Sequence, residues 1–419
     1  MPTDPSEMLP ASPSRTLLRD RRIALVWTAG LVAWIGHHAM FVVLPFVVFD
    51  STSSPGATAL TVLASALPPV LLGQIAGVVT DRTDRRRVLL GANLALAGLT
   101  IGFLFIGDWG WIAVLSFARS CVAQLVGPAE HALLPELAPD DRLGELASLN
   151  TLNNTLARLV GPACGGMLLA AAGFSGVVGL VVVCHALCAV LVLAVDHRSP
   201  KKETDRTELG MLAQWREGAR IARHQSVLRL LVPLVAIMAL GEGFVSALLA
   251  PFTRELLGSG PEVLGWILSA QAIGGVLGAL WSTRVADRRS PLHLLAVAAL
   301  VAGVLLLVVF TYPLGYPAVW PAAALTALAG APFAVVAAMQ GTLLQTQSPP
   351  HARGRVFSLF WGVASLAQLL GTGLAGALAE RFGSIVVVLD GVAYVIAGLL
   401  GLAAARRMHR RGGLAPGGR

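Results

Sequence analysis

The sequence predicts an all-α polytopic membrane protein, with 12 transmembrane helices in two pseudo-symmetric six-helix bundles. Three observations carry that expectation. The first is composition: 55% of the residues are hydrophobic and 13% charged, and the mean hydropathy is +0.73. Soluble domains carry about 25% charged residues, so a soluble chain of this length could not cover its surfaces. The second is a set of twelve apolar runs, each near the ~20 residues that cross a bilayer as a helix. The third is the stretch Gly73 to Leu90, where Asp81, Arg82, Asp84 and Arg85–Arg87 interrupt apolar sequence that resumes at Val88. Hydrocarbon tolerates no such cluster, so two spanning helices joined by a tight charged turn are expected.

The twelve runs fall at about 23–49, 57–80, 88–107, 110–134, 149–172, 174–195, 227–250, 262–283, 292–312, 318–344, 356–378 and 384–405. They give a tail over 1–22, an N-terminal bundle over 23–195, a central loop over 196–226, a C-terminal bundle over 227–405 and a basic tail over 406–419. The tail before span one is Pro/Ser-rich and then basic, and the apolar run after it is too long for a signal-peptide core. With both ends inside, 27 of the 31 Lys and Arg fall in cytoplasmic segments, and only Arg254 and Arg381 fall outside. This asymmetry orients the chain with both termini in the cytoplasm. It also accounts for the net charge of +8 without nucleic acid. The cell membrane of a bacterium is the expected location.

Taken in order, span one carries Gly36, His37 and His38, with Trp34 and Phe41 at helical spacing. Span four holds Arg119, then Gln124 and Glu130, and is expected to run unbroken. Span five holds Arg158 and then Gly161-Pro162 and Gly165-Gly166; glycine and proline at membrane depth bend a helix or allow close helix contact. Cys121, Cys164, Cys184 and Cys188 all lie in apolar spans and read as small packing residues, with no metal site expected. In the central loop, Leu212, Trp215, Ala219 and Ala222 share one helical face, with Arg216, Arg220 and Arg223 beside it. That pattern predicts a helix on the cytoplasmic surface. Residues 156–168, LARLVGPACGGML, align without gaps to 366–378, LAQLLGTGLAGAL. An internal repeat between two six-span halves is the mark of a secondary transporter, with substrate bound near midplane.

On these motifs the chain resembles the major facilitator superfamily over roughly residues 20–405. The loop between spans two and three, Gly77-Val-Val-Thr-Asp81-Arg82-Thr-Asp84-Arg85-Arg86, is similar to that superfamily's first signature. Asp84 replaces the usual glycine, as in the branch of macrolide-efflux proteins and the enterobactin exporter. Arg353-Gly354-Arg355-Val356-Phe357 resembles the same branch, and the span-five motif of Arg158, Gly161, Pro162, Gly165 and Gly166 resembles that of drug antiporters. The resemblance implies the major facilitator fold and rocker-switch alternating access. It assigns Gly77, Asp81, Arg82, Asp84, Arg85 and Arg86 to a cytoplasmic gate, in which Asp81 faces the N-terminus of span eleven and Arg82 and Arg86 pair with Glu136 and Asp140.

A charge at mid-helix costs about 2.5–3.5 kcal/mol on insertion scales, so each one invites a functional reading. The proton-coupling candidates are Glu242 first, then Asp390, Arg119, His37 and His38; neighbouring histidines point about 100° apart, so only one of the last two is expected to face a cavity. Arg158 is expected to pair with Glu130. Trp34, Phe41, Gln271, Gln340 and Gln368 are candidates to line a site for a large lipophilic substrate. The expected function is proton-coupled efflux of an amphiphilic small molecule such as a drug, a macrolide-like metabolite or a siderophore. The alternatives are proton-symport import and a transport-incompetent receptor. An enzyme is not expected, because no nucleophile, acid–base pair or phosphate-cradling glycine loop can be assembled. No cofactor is expected beyond the proton gradient, and the expected partners are a small-molecule substrate, protons and membrane lipid, with the chain a monomer.

Overall fold

The computed structural model describes residues 17–197, 211–285 and 290–410. The start of the expected tail, the linker 198–210, the Asp287–Arg289 turn after span eight and the end of the basic tail lie outside these residues, as do the side chains of Asp81, Asp140, Leu212 and Arg284. Thirteen α-helices follow one another: α1 (Arg21–Thr52), α2 (Pro55–Arg82), α3 (Arg85–Gly102), α4 (Trp109–Ala123), α5 (Val126–Leu137), α6 (Leu143–Leu193), α7 (Met211–His224), α8 (Ser226–Glu255), α9 (Pro261–Val285), α10 (Pro291–Thr311), α11 (Val319–Gln347), α12 (Arg353–Phe382) and α13 (Val388–Arg410).

Local chemistry sets the helix starts. Asp20, Ser54, Asp84, Asp108 and Ser290 stand at N-caps, each accepting from a backbone N–H of the first turn, and Pro55 and Pro291 occupy first helical positions. Eleven helices among the described residues are long and apolar enough to cross a membrane. One of these, α6, contains two crossings. Gly173 sits within it at φ 67°, ψ −172°, a conformation open to glycine and strained for other residues. Gly161 on one side of this turn packs against His38 and Ile35, and Cys184 on the other side packs against Gly36. Both segments therefore meet the same turns of α1, and the chain doubles back at Gly173 to give twelve crossings.

Three expectations are corrected. Residues 17–22 are not tail: Leu17 is buried and its N–H donates to Glu145 at 3.2 Å. Span four is broken, with α4 ending at Ala123 and α5 starting at Val126. Pro128 accounts for the break, since its ring clashes with the carbonyl four residues back, at Gln124, and offers it no N–H. The central helix α7 forms, but it is docked as well as amphipathic: Trp215 Nε1 donates to Ser358 at 3.2 Å, Glu217 pairs with Arg355, and Ala222 is buried. Arg216, Arg220 and Arg223 are exposed.

The sequence repeat carries the packing. Gly161 lies against α1, and Gly371, its counterpart at the same register, lies against Leu240 on α8. Gly166 lies against Pro261 and Glu262 of α9, while its counterpart Gly376 lies against Ala59 and Gly56 of α2. In each half, one face of this helix grips its own first span and the other reaches across to the opposite half. Removing the Cβ is what permits such close backbone approach.

The described bonds joining the halves lie at midspan or beyond it, on the face opposite the Asp84–Arg87 turn. Ser269 donates to the Leu159 carbonyl at 2.7 Å, Arg254 pairs with Asp50 at 3.0 Å, and Glu380 accepts from Ser54 Oγ at 2.6 Å and Gly56 N at 2.9 Å. An apolar cluster of Val42, Phe46, Ala250 and Leu264 closes the same region. Toward the basic face, a Cβ on Gly73 or Gly77 of α2 would meet nothing within 4 Å. The described polar contacts between the halves thus gather toward one side.

Candidate functional site

A cavity of about 420 Å³ lies between the halves. Residues of α1, α2, α4 and α5 wall it on one side, with Ser246 of α8 and Ser365, Gln368, Leu369 and Thr372 of α12 facing them. The lining is mostly apolar and aromatic with a few polar groups, the usual make-up of a small-molecule site. Trp34, Phe41 and Gln368 of the lining candidates stand in its wall, together with His37 and Arg119 from the proton-coupling candidates. Gln271 and Gln340 do not: they belong to α9 and α11, which pack on each other through Gly274, Gly278 and Gly330, away from the α1–α2–α12 wall. Of the neighbouring histidines only His37 reaches the cavity. The His38 Cβ is held against Gly161, and its Nε2 is buried without a partner.

Arg119 is buried at 7% exposure and its Nη2 lies 3.4 Å from His185 Nε2. Asn93 fixes the roles in this contact. Its amide donates to the Leu89 carbonyl at 2.9 Å, which leaves Oδ1 to accept from His185 Nδ1, also at 2.9 Å. His185 therefore turns a lone pair on Nε2 toward the guanidinium. Asn93 and His185 were not foreseen as site residues; as isolated polar residues in apolar spans, they offered that signal.

Glu130 does not pair with Arg158. Its carboxylate, 4% exposed, accepts from Trp34 Nε1 at 3.1 Å and presses on the bare Cα of Gly30. Arg158 is exposed instead, close enough to act electrostatically on Glu242 and on His38. Pro162 is buried with Gly161, Gly165 and Gly166.

A second polar group sits in the other half. Tyr394 OH donates to Glu242 Oε1 at 2.6 Å across 152 residues of sequence. Asp390 stands one turn before Tyr394 on α13; it is 1% exposed, its Oδ1 has no hydrogen-bond partner, and it lies against the bare Cα of Gly241. Two carboxyl groups and a phenol thus share one site, with Phe333 edge-on to the Tyr394 ring at 5.0 Å. Glu242 itself is exposed. Tyr394 went unforeseen; the signal was its position four residues after Asp390, on the same helical face.

At the basic face, the arginines divide their work differently from the expected pairing. Arg85, not Arg82 or Arg86, forms the ion pair with Glu136, and His197 Nε2 lies 3.0 Å from the same carboxylate. Arg86 donates to the carbonyls of Val192 at 3.1 Å and Leu193 at 2.7 Å, closing the C-terminal end of α6 where helix carbonyls lack partners. Arg82 is exposed. Asp84 caps α3 by accepting from Arg86 N at 3.0 Å and Arg87 N at 3.3 Å. Among the described residues no group of three His, Cys, Asp or Glu is placed to hold a metal ion.

Comparison with known proteins agrees with this architecture. Residues 12–411 match the family described as transmembrane secretion effector. The multidrug efflux pump Tap of Mycolicibacterium fortuitum is 31% identical over 381 residues, covering 86% of this chain and 90% of Tap. Macrolide efflux protein A of Streptococcus pyogenes is 22% identical over 365 residues, covering 85% and 89%. A bacterial homologue of the iron transporter ferroportin, solved in an inward-facing state, superposes with a TM-score of 0.73 at 16% identity, covering 93% of this chain and 100% of that one. With twelve crossings, a repeat that packs the two halves alike and a family match over nearly its whole length, the chain belongs to the transmembrane secretion effector family of the major facilitator superfamily and is an integral membrane transporter rather than an enzyme.

Proposed function

We propose that the protein is a proton-coupled efflux transporter, exchanging protons for an amphiphilic small molecule by rocker-switch alternating access, with the basic face in the cytoplasm. The observation that carries this reading is the hydrogen bond of Tyr394 to Glu242, with Asp390 one turn before Tyr394 and against Gly241, the neighbour of Glu242. Two carboxyl groups at close range cannot both ionise easily out of water, so such a pair holds and releases a proton as its surroundings change. The lining of Trp34, Phe41 and the α2 wall suits a lipophilic body, and the efflux names of Tap and macrolide efflux protein A favour export over import.

Alternating access then follows from the contacts. With the basic face inside, the Glu380 and Arg254 contacts hold the outer ends of the halves together. Rocking to the other state brings the Asp81 end of α2 toward the start of α12 and releases the outer contacts. A growth-inhibition panel in an efflux-deficient host tests the reading: the wild type should raise the inhibitory concentration of at least one amphiphilic compound, and E242Q, at equal amounts in the membrane, should not. Full resistance from E242Q would remove Glu242 from the coupling step, and no resistance from the wild type to any compound would remove efflux.

A further inference from the structure

Arg119 poses a problem that the coupling reading leaves unsolved. It is the one Asp, Glu, Lys or Arg side chain in the wall of the cavity. It is buried, and its contact on the protein side is a histidine at 3.4 Å that serves as a neutral acceptor. Its Nε is buried with no hydrogen-bond partner among the described residues. Among the described residues no carboxylate lies within ion-pair distance: Glu130 is taken up by Trp34, and Glu242 and Asp390 belong to the other half with Tyr394. A guanidinium stays charged in proteins and presents five donors in a planar fork. Buried without an anion, it is a strongly unfavourable arrangement unless something else supplies the anion.

The wall supplies none: its other polar groups are neutral serine, threonine and glutamine side chains, with His37 and His185. Trp34, Phe41, Leu44, Val62 and Pro69 surround a volume suited to a hydrocarbon or aromatic body. His185, itself oriented by Asn93, contacts the guanidinium from within the wall, so its orientation is set before any ligand arrives. A largely apolar chamber whose one fixed charge is a braced, unpaired cation selects a molecule with the opposite pattern.

We propose that the cavity is a binding site for amphiphilic anions, in which Arg119 takes a carboxylate, sulfonate or phosphate group and the Trp34–Phe41 wall takes the apolar body. The site rests on the efflux reading only for its direction of transport; binding itself needs no gradient. The same head-group chemistry is offered by a free amphiphilic anion and by the head group of an anionic lipid.

The test is equilibrium binding to the full chain in phosphatidylcholine nanodiscs, with empty discs subtracted and no ion gradient. The probes are 1-pyrenebutyrate and 1-pyrenebutanol, which share a body and differ in the anion. The wild type should bind the acid about tenfold or more tightly than the alcohol, the advantage of a charge-assisted contact. R119Q should bring the two within about twofold of each other while still binding the alcohol, and R119K should keep a preference for the acid. Equal binding of acid and alcohol by the wild type overturns the proposal without reference to any variant, and so does a full preference surviving in R119Q. Repeating the wild-type measurement with phosphatidylglycerol in the disc separates the sources: displacement of the acid assigns the lipid head group, retained binding assigns the free amphiphile, and both uphold the anion site. Anion preference without proton-driven transport would sink the efflux reading alone; proton-driven transport without anion preference would sink this inference alone.

Discussion

Glu380, in the last turn of α12, accepts hydrogen bonds from Ser54 Oγ at 2.6 Å and from the N–H of Gly56 at 2.9 Å, so the end of a span in one half caps the beginning of a span in the other. Carboxylates are favoured at helix N-termini because the first N–H groups have no partner within the helix. We propose the same geometry in reverse at the basic face, where Asp81 lies in the last turn of α2 and Arg353 opens α12. The two latches cannot hold at once if the halves rock.

E380A should therefore shift the population toward the state open on the outer face. The contact is solvent-exposed, so a shift of roughly two- to tenfold is expected. Distances between spin labels on the outer ends of α2 and α12 report it. An unchanged distance distribution would show that the apolar cluster around Phe46 and Leu264 holds the face alone.

The Asp84 cap makes a graded prediction. D84A should lower stability by ~1 kcal/mol, within the usual range for losing an N-cap, and D84G by only a few tenths, with D84N close to the wild type. Thermal unfolding in a fixed detergent gives the order. If D84N falls as far as D84A, the side chain acts through its charge on Arg87 at 3.8 Å rather than through the cap.

Arginines 82 and 85 should separate cleanly. Arg85 and Glu136 are each at most 15% exposed in their side chains, so R85A leaves a nearly buried carboxylate without its main partner. A loss of up to about 3 kcal/mol and a lower yield of monodisperse protein are expected. R82A, on an exposed side chain, should keep the wild-type melting temperature; a change in its transport rate with stability intact would place Arg82 in the gate.

Glycines test the packing repeat. A Cβ at Gly161 would meet His38 Cβ at 2.7 Å and the Ile35 carbonyl at 2.9 Å, whereas a Cβ at Gly127 meets nothing within 4 Å. G161A should destabilise by about 1–3 kcal/mol, the range for overpacking, and G127A should not. Equal melting temperatures for the two variants would mean that α1 and α6 are not held in contact at this point.

Much of this fold was legible because membrane constraints act locally. Span number, the turn at Gly173 and the repeat of Gly161 with Gly371 are written in hydropathy and small residues, which a single segment displays on its own. The candidates that stand in the cavity wall, such as Trp34 and Arg119, were polar or aromatic exceptions in apolar runs. The partners of each charge were not legible. Arg158 and Glu130 were matched by sign and depth, yet Glu130 is satisfied by an indole N–H and Arg158 is exposed, nearer Glu242 and His38. Tyr394 meets Glu242 only because α13 packs beside α8, and no periodicity within either helix contains that fact. The break at Gln124 was missed although Pro128 marked it, because the apolar run continues through it.

The most direct measurement of proton-coupled efflux uses inverted membrane vesicles and a compound drawn from the growth panel. Acidifying the lumen should drive accumulation in vesicles carrying the wild type, an uncoupler should abolish it, and E242Q should lose it while still exchanging labelled for unlabelled compound at equilibrium. Accumulation that ignores the proton gradient, or that E242Q performs as the wild type does, would contradict the account.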